Sequence, residues 1–357
     1  MIANSLNPLF VSAGLLKQEP GNNFPVKVFS SLELESKYLN SSAALRDTSS
    51  NSKIKLTGSE DLSLLNRIST NKVDDLKNLH AVRTIFTNDK GRILDSQLLI
   101  NFSGYRLLYG SPGKSLLIYK WIDRFIISDD VSPSDTTLND ISFEIIGPHA
   151  ASVAVLLFGN DVDNLEMNTA GIYFIESDGY HVIKTTEFNG DIKFIVLSTM
   201  HSIKKIIEVT ANYTGPIEFG WVGDEAYELY RIQKQIPNEN ELTDEFNPHE
   251  IKLINEVSFT KGCYIGQEVI ARLDTYDKVQ KFLTPIVFNS GLPPALPAQL
   301  YDHENKDAGI LTSVYLYGDL DQREGLAVVR KKYLEPGVKL KLKNEILNDF
   351  ETLVTIK

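Results

Sequence analysis

The sequence predicts an α+β protein with two α+β domains followed by a small, mostly β, barrel-like domain. Three observations carry the prediction. Strand-like alternation and capped amphipathic stretches succeed one another from Lys53 to Phe125. A second pass of the same kind begins near Ser142 and reaches Thr210. Beyond residue 283 prolines become dense and only short β-like runs remain. The expected division is an N-terminal extension over 1–29, a first α+β domain over 30–140, a second over 141–282 and the β domain over 283–357. A chain of 357 residues is long enough to need more than one core.

Within the extension, Asn7-Pro8, Glu19-Pro20-Gly21 and Asn22-Asn23 have the composition of an irregular or edge segment. Ser30 and Glu33 stand at capping-box spacing, which predicts a short helix reaching Leu45. Lys53-Ile54-Lys55-Leu56-Thr57 alternates as a half-buried strand does. Ser59 is placed to cap a helix with Glu60 and Asp61 in its first turn and Leu62, Leu65 and Ile68 on its apolar face. Ala81–Thr87 and Arg92–Asn101 read as strands about the turn Asn88-Asp89-Lys90-Gly91. Ser111-Pro112 is the cap-then-proline start of a helix reaching Phe125.

In the second pass, Ser142–Ile146 is a strand and Gly147-Pro148 opens a helix through Leu157. Strands follow at Ile172–Ile175, His181–Thr185 and Ile192–Leu197, then a helix over Ser202–Thr210. The repeated order suggests two related halves. Pro285, Pro293, Pro294 and Pro297 then oppose any regular helix. Ala308–Leu311, Gly325–Val329 and Val338–Leu342 supply the short strands of the terminal domain.

Composition narrows the function classes. With 42% hydrophobic residues, 15 Tyr and 17 Phe, the chain has ample apolar area to fold. Its net charge of −11 disfavours direct nucleic-acid or anionic-membrane binding, though not one small anionic ligand in a local cationic pocket. A single cysteine excludes an intrachain disulfide, a self-contained Cys-rich zinc site and a cluster held by this chain alone. No metal site is expected. No apolar run approaches the roughly 18 residues of a spanning helix, and a cytoplasmic protein is expected.

The one cysteine lies in Lys261-Gly262-Cys263-Tyr264-Ile265-Gly266-Gln267-Glu268. Two glycines bracketing a thiol suit a tight exposed loop, and the neighbouring lysine favours a reactive thiolate. A buried, inert thiol is the competing reading. These residues resemble the K-G-C-Y-x-G-Q-E signature of a folate-binding family implicated in iron–sulfur protein maturation, itself related to the T protein (aminomethyltransferase) of the glycine-cleavage system. Arg231-Ile232-Gln233-Lys234-Gln235-Ile236-Pro237 resembles that family's R-I-x-x-G-x-P segment, followed by Pro248 and Glu250. Lys90-Gly91-Arg92-Ile93-Leu94-Asp95 resembles its first-domain hairpin, and Gly309-Ile310-Leu311-Thr312-Ser313 its terminal G-x-x-T-S.

The resemblance implies a three-domain aminomethyltransferase-like fold that binds tetrahydrofolate or a one-carbon-substituted derivative. It implies folate contacts at Arg231, Asp95 and Asn71, with Asp95 as a candidate catalytic carboxylate and Cys263 as a functional thiol. Lys261, Gly262, Tyr264, Gly266, Gln267 and Glu268 complete the signature. The implied role is support of iron–sulfur cluster assembly or repair, with assembly or client proteins as partners and tRNA modification affected only indirectly. The alternatives are aminomethyl transfer to tetrahydrofolate and a scaffold that has lost its ligand. There are departures. Gln235 replaces the motif glycine, Gln233 a frequent glutamate, and Ser96 the second aspartate of the transferases. Tyr213-Thr214-Gly215 starts like the transferases' Y-T-G-E-D-G but breaks at Pro216 and Ile217, so no ligand role passes to Glu218.

Overall fold

In the computed structural model, the described residues are 6–17, 26–276, 278–288, 295–315, 323–343 and 351–357. In chain order the elements are α1 (Asn7–Ser12), α2 (Leu32–Ser41), β1 (Ala43–Asp47), β2 (Asn51–Thr57), α3 (Asp61–Ile68), β3 (Ala81–Thr87), β4 (Ile93–Phe102), β5 (Tyr105–Pro112), α4 (Ser115–Phe125) and β6 (Ser132–Asp135). They continue with β7 (Ile141–Ile146), α5 (Ala150–Phe158), β8 (Thr169–Ile175), β9 (Asp178–Thr186), β10 (Ile192–Ser198), α6 (Met200–Ala211), β11 (Phe219–Trp221) and α7 (Asp224–Gln233). Then come α8 (Gln267–Thr275), β12 (Lys281–Phe288), β13 (Ala298–Tyr301), β14 (Asp307–Val314), β15 (Arg323–Arg330), β16 (Lys339–Lys343) and β17 (Glu351–Ile356). The chain divides into two units, Met1–Thr84 with Ser96–Tyr227, and Ile85–Asp95 with Glu228–Lys357.

The first unit holds two sheets, ordered β3-β4-β5-β2-β6 and β11-β1-β7-β10-β9-β8, apart from the last three residues of β3 and the first three of β4, which belong to the second unit. Their inner faces meet through Leu98, Ile100, Phe102 and Leu107 on one side and Ala170, Ile183, Ile195 and Leu197 on the other. Alternate residues of the six-stranded sheet, among them Phe143, Val182 and Phe194, point the other way, as the two-residue strand period requires. They pack there with Phe10, Val153, Leu157, Ile203 and Ile206 of α1, α5 and α6. The order β-α-β-β-β-α-β occurs twice, as β2 to β6 and as β7 to β11. Substituting β8-β9-β10-β7-β11 for β3-β4-β5-β2-β6 maps one sheet onto the other, with β1 inserted between β7 and β11. The related halves suggested by the sequence are therefore visible in the topology.

Several local expectations need correction. Ser31 rather than Ser30 caps α2, accepting from Leu34 N at 3.3 Å. The helix stops at Ser41, and Ala43–Leu45 belong to β1, because pairing with β7 and β11 outweighs local helix propensity. Ser59 does not cap α3; its amide and hydroxyl both donate to the Asp130 carboxylate. Ser111-Pro112 closes β5, and the helix begins after Gly113. In the N-terminal segment Phe10 is fully buried, with its ring 4.9 Å from Phe29 and 4.8 Å from Trp221. Glu35 fixes that segment by accepting from Phe29 N, Ser30 N and Gly223 N at 2.7, 2.7 and 2.8 Å.

In the second unit the terminal strands form a closed barrel, β12-β15-β14-β13-β16-β17, filled by Ile286, Leu300, Leu311, Val329, Leu340 and Val354. Its first strand starts at Lys281 and carries Pro285 opposite Leu326. Pro293, Pro294 and residues 18–25 lie outside the described residues. Among the described residues no helix is long and apolar enough to cross a membrane.

Candidate functional site

The cysteine segment is a loop running into α8. Cys263 is exposed and unbridged, as are Gly262 and Glu268, while Tyr264 and Lys261 are buried at its sides. Lys261 Nζ lies 5.2 Å from the Tyr264 ring centre. Burial pushes the Tyr264 hydroxyl up to about 12, and that oxygen has no hydrogen-bond partner among the described residues. The two glycines differ in what they do. A side chain at Gly262 would meet nothing within 4 Å. Gly266, at φ +84°, begins α8 in the left-handed region, where a Cβ would stand 2.6 Å from Asn88 O and 2.9 Å from Gly91 Cα. Thr87 Oγ1 completes the clamp by donating to Ile265 O at 2.7 Å. The turn at Asn88–Gly91 thus sets where the thiol loop leaves the surface.

Arg231 is 1% exposed, and its donors are engaged. Nε donates to Glu228 at 2.6 Å, Nη1 to Glu241 and to Ile236 O, and Nη2 to Glu228 and to Ser313 Oγ, the last at 2.7 Å. Ser313 in turn donates to Glu241 at 2.6 Å. Burial disfavours the guanidinium charge, but Glu241 and Glu228 outweigh it and hold its pKa above the ordinary value. Arg92 joins a parallel contact, donating to Glu250 at 3.1 Å and to Glu245 O at 2.8 Å.

Asp95 is fully buried in β4. Asn71 lies in the first unit, where its side-chain amide donates to Arg83 O and its side-chain oxygen accepts from Lys72 N, both at 2.9 Å. Gln267 is half-buried at the start of α8.

A second constellation, in the first unit, escaped the sequence reading. Arg46 in β1 stands directly opposite Glu144 in β7, with Nη1 3.9 Å from Oε2. Lys193 Nζ lies 2.8 Å from Glu144 Oε1 and 2.5 Å from Glu187 Oε1. The Arg46 guanidinium stacks 3.7 Å from the centre of the Tyr227 ring. Glu144, Glu187 and Lys193 are 2%, 4% and 4% exposed, and removing one partner from such a buried set would be costly. Burial would raise the Glu187 carboxyl, but Lys193, Arg83 and Arg46 prevail and hold it below the usual carboxylate range. Arg46 Nε, Arg83 Nε and Glu144 Oε2 are buried without a hydrogen-bond partner among the described residues. Such atoms mark hydrogen-bonding capacity that a polar ligand or water fills. The available signal was a charge inside an apolar strand, Glu144 between Phe143 and Ile145 and Lys193 between Ile192 and Phe194.

Known proteins share this architecture. Glycine cleavage system aminomethyltransferase T from Bartonella henselae aligns with a TM-score of 0.77 over 98% of this chain and 95% of its own, at 16% identity. The α+β fold with a closed terminal barrel is that of aminomethyltransferase T. In sequence, an aminomethyltransferase from Thermoanaerobacter pseudethanolicus is 25% identical over 334 residues, 88% of this chain and 85% of that protein. A mitochondrial iron–sulfur cluster assembly factor IBA57 homolog from Dictyostelium discoideum is 24% identical over 263 residues, 67% of this chain and 61% of that protein. The GCVT N-terminal domain model matches residues 10–261. That match takes in most of the chain, which therefore belongs to the GCVT N-terminal domain family.

Proposed function

We propose that this protein binds tetrahydrofolate, or a one-carbon-substituted form of it, and supports the assembly or repair of iron–sulfur proteins. Any effect on tRNA modification runs through those client enzymes. The observation that carries the reading is the buried Arg46–Glu144–Lys193–Glu187 network, with buried polar atoms that have no hydrogen-bond partner among the described residues. A pterin head has an amide and amino groups along one edge. Glu144 Oε2 suits its N–H groups, and the Nε atoms of Arg46 and Arg83 suit its carbonyl. The folate, when bound, supplies ring nitrogens that carry a one-carbon unit. The kinship with an iron–sulfur assembly factor homolog and the exposed Cys263 support the cluster-related role.

Asp95, Asn71 and Arg231 remain candidate ligand contacts, each to be tested separately. At Arg231 a ligand carboxylate must take the place of Glu228, whose side chain is 25% exposed while that of Glu241 is fully buried. Such an exchange of carboxylates leaves the guanidinium paired.

Calorimetric titration with tetrahydrofolate and its methylene and formyl forms tests the proposal. Saturable binding that weakens at least about tenfold in Glu144→Gln and in Arg231→Ala is expected, since a charge-assisted hydrogen bond contributes roughly 1.5–3 kcal/mol. Unchanged affinity in either folded variant removes that residue from the site, and absence of binding by the wild type removes the function. Cys263→Ser should bind folate normally yet fail to restore iron–sulfur enzyme activity under oxidative stress. Equal rescue at matched abundance would leave the thiol without a role.

A second reading, aminomethyl transfer from a lipoylated carrier to tetrahydrofolate, is favoured by the buried carboxylate of Asp95 and by the aminomethyltransferase relative. Ammonia release in a glycine-cleavage assay, abolished in Asp95→Asn, would establish it in place of the first.

A further inference from the structure

β8 is the outermost strand of the six-stranded sheet, and β9 pairs with one of its edges from Thr169 to Ile175. Among the described residues its other edge is met only at the start. There Ala170 N donates to Leu79 O at 2.7 Å and Ala81 N to Asn168 O at 2.8 Å. Among the described residues no strand or bridge pairs with that edge from Gly171 to Ile175. The Ala170 amide points outward, so the two-residue period turns the Ile172 and Phe174 amides outward too.

The side chains of this open stretch are as unusual as its backbone. Ile172 and Phe174 are 53% and 64% exposed. They stand on the same face of the strand as buried Ala170, and so prolong the inner apolar layer to the surface. His181, opposite Ile172, continues that shelf by packing 4.8 Å from Phe102. Folded proteins ordinarily blunt an edge with lysine, proline or a bulge. Gly171-Ile172-Tyr173-Phe174-Ile175 contains no lysine or proline, and its register with β9 is unbroken.

Acidic residues flank the open stretch. Exposed Glu166 precedes the strand, and Glu176 and Asp178 follow it. Asp161 lies close enough to Tyr173 to add to the effect of burial in raising its hydroxyl. At the far end Lys205 is bound to Glu176 at 2.7 Å, and at the near end Lys184 stands opposite Thr169, which leaves Glu166 and Asp178 as the acidic residues without a lysine or arginine ion-pair partner among the described residues.

We propose that the outer edge of β8 docks an extended segment of a partner protein, apolar at alternate positions and basic at its flanks, as a further strand of the sheet. The open backbone would supply the hydrogen bonds, Ile172 and Phe174 the alternate-residue contacts, and the acidic rim the charge preference. A second copy of this chain is disfavoured, because it would bring the same rim and a net charge of −11 against its like.

The test titrates the full chain with a fluorescein-labelled short peptide of alternating valine and threonine with lysines at both ends. Saturable binding is expected, with slowed amide exchange at Ile172 and Phe174. Affinity should fall at least about tenfold for Phe174→Lys, for a glutamate-ended peptide and for one with a central proline. Phe174 is largely exposed, so its variant should fold; Ile172→Thr serves as the second variant. Lack of saturable binding, or equal affinity in the folded variants, overturns the proposal. Concentration-dependent dimerisation abolished by Phe174→Lys would give the edge to a second copy and overturn it equally.

Discussion

Replacing Gln235 with glycine should leave the second unit more stable than replacing it with alanine does. α7 ends in a Schellman arrangement, with Ile236 N donating to Arg231 O at 2.8 Å and Gln235 N to Ile232 O at 3.1 Å. That closure holds Gln235 at φ +55°, where a Cβ crowds the backbone carbonyl. The strain is about 1–2 kcal/mol for an L residue, and glycine's greater freedom in the unfolded chain offsets roughly 0.5–1 kcal/mol of its relief. Gln235 Oε1 also accepts from the exposed Lys252 Nζ at 2.7 Å, a bond contributing about 0.5 kcal/mol that both variants lose. Gln235→Gly should therefore lie between about 0.5 kcal/mol below and about 1 kcal/mol above the wild type, and Gln235→Ala about 1 kcal/mol below the glycine variant. For a unit of this size that gap is roughly 2–4 °C in Tm by scanning calorimetry. A Lys252→Ala background isolates the hydrogen bond from the strain. Alanine and glycine variants of equal stability would refute the argument from backbone conformation.

The same reasoning separates the two signature glycines. Gly266→Ala should lose about 1–2 kcal/mol or more and shift the thiol loop, while Gly262→Ala stays within about 0.5 kcal/mol; alkylation rates at Cys263 and urea unfolding would show both. Lys53 is fully buried, donating to Ser49 O and Asn51 O at 2.9 and 3.0 Å, and burial pulls its pKa from 10.5 to about 8. The folded state then releases the proton before the unfolded state does, so stability should rise between pH 8 and 10.5, by up to about 3 kcal/mol. Lys53→Met should remove that rise, and an unchanged pH profile would count against it. Filter binding at physiological salt should find no tight, specific association with tRNA, as the charge of −11 implies.

What could be read from the sequence depended on how local its cause was. Gly147-Pro148 opens α5, Asn88–Gly91 makes the expected turn, and the short strands after residue 300 do form the barrel, because turn chemistry and alternation act within a few residues. Ser59 and Ser111 misled because a hydroxyl that can cap a helix can equally serve a distant carboxylate or end a strand. Ala43–Leu45 read as helix because nothing within their own segment reveals that β7 and β11 flank them. The Arg46–Glu144–Lys193–Glu187 network was illegible as a group for the same reason. Its members lie up to 147 positions apart in the numbering, from 46 to 193, and meet only when β1, β7 and β10 are side by side.

The geometry also changes what the matching motifs are evidence of. Arg231 and Ser313, from two separate fragments, are bonded to each other at 2.7 Å. Arg92 of the hairpin fragment reaches Glu250, and Gly266 of the cysteine signature rests on the Asn88–Gly91 turn. The four fragments thus hold one another within the second unit, so their joint presence supports one assembly rather than giving four independent signs of a ligand. The Arg46–Glu144 network is internally paired too, but Arg46 Nε, Arg83 Nε and Glu144 Oε2 have no hydrogen-bond partner among the described residues. Folate titration can weigh the two. If Glu144→Gln and Lys193→Met lose affinity while Ser313→Ala loses only thermal stability, the motifs report packing and the network reports the ligand. If Ser313→Ala loses affinity at unchanged stability, Arg231 binds ligand as well as shaping its unit, and the network alone is too narrow an account of recognition.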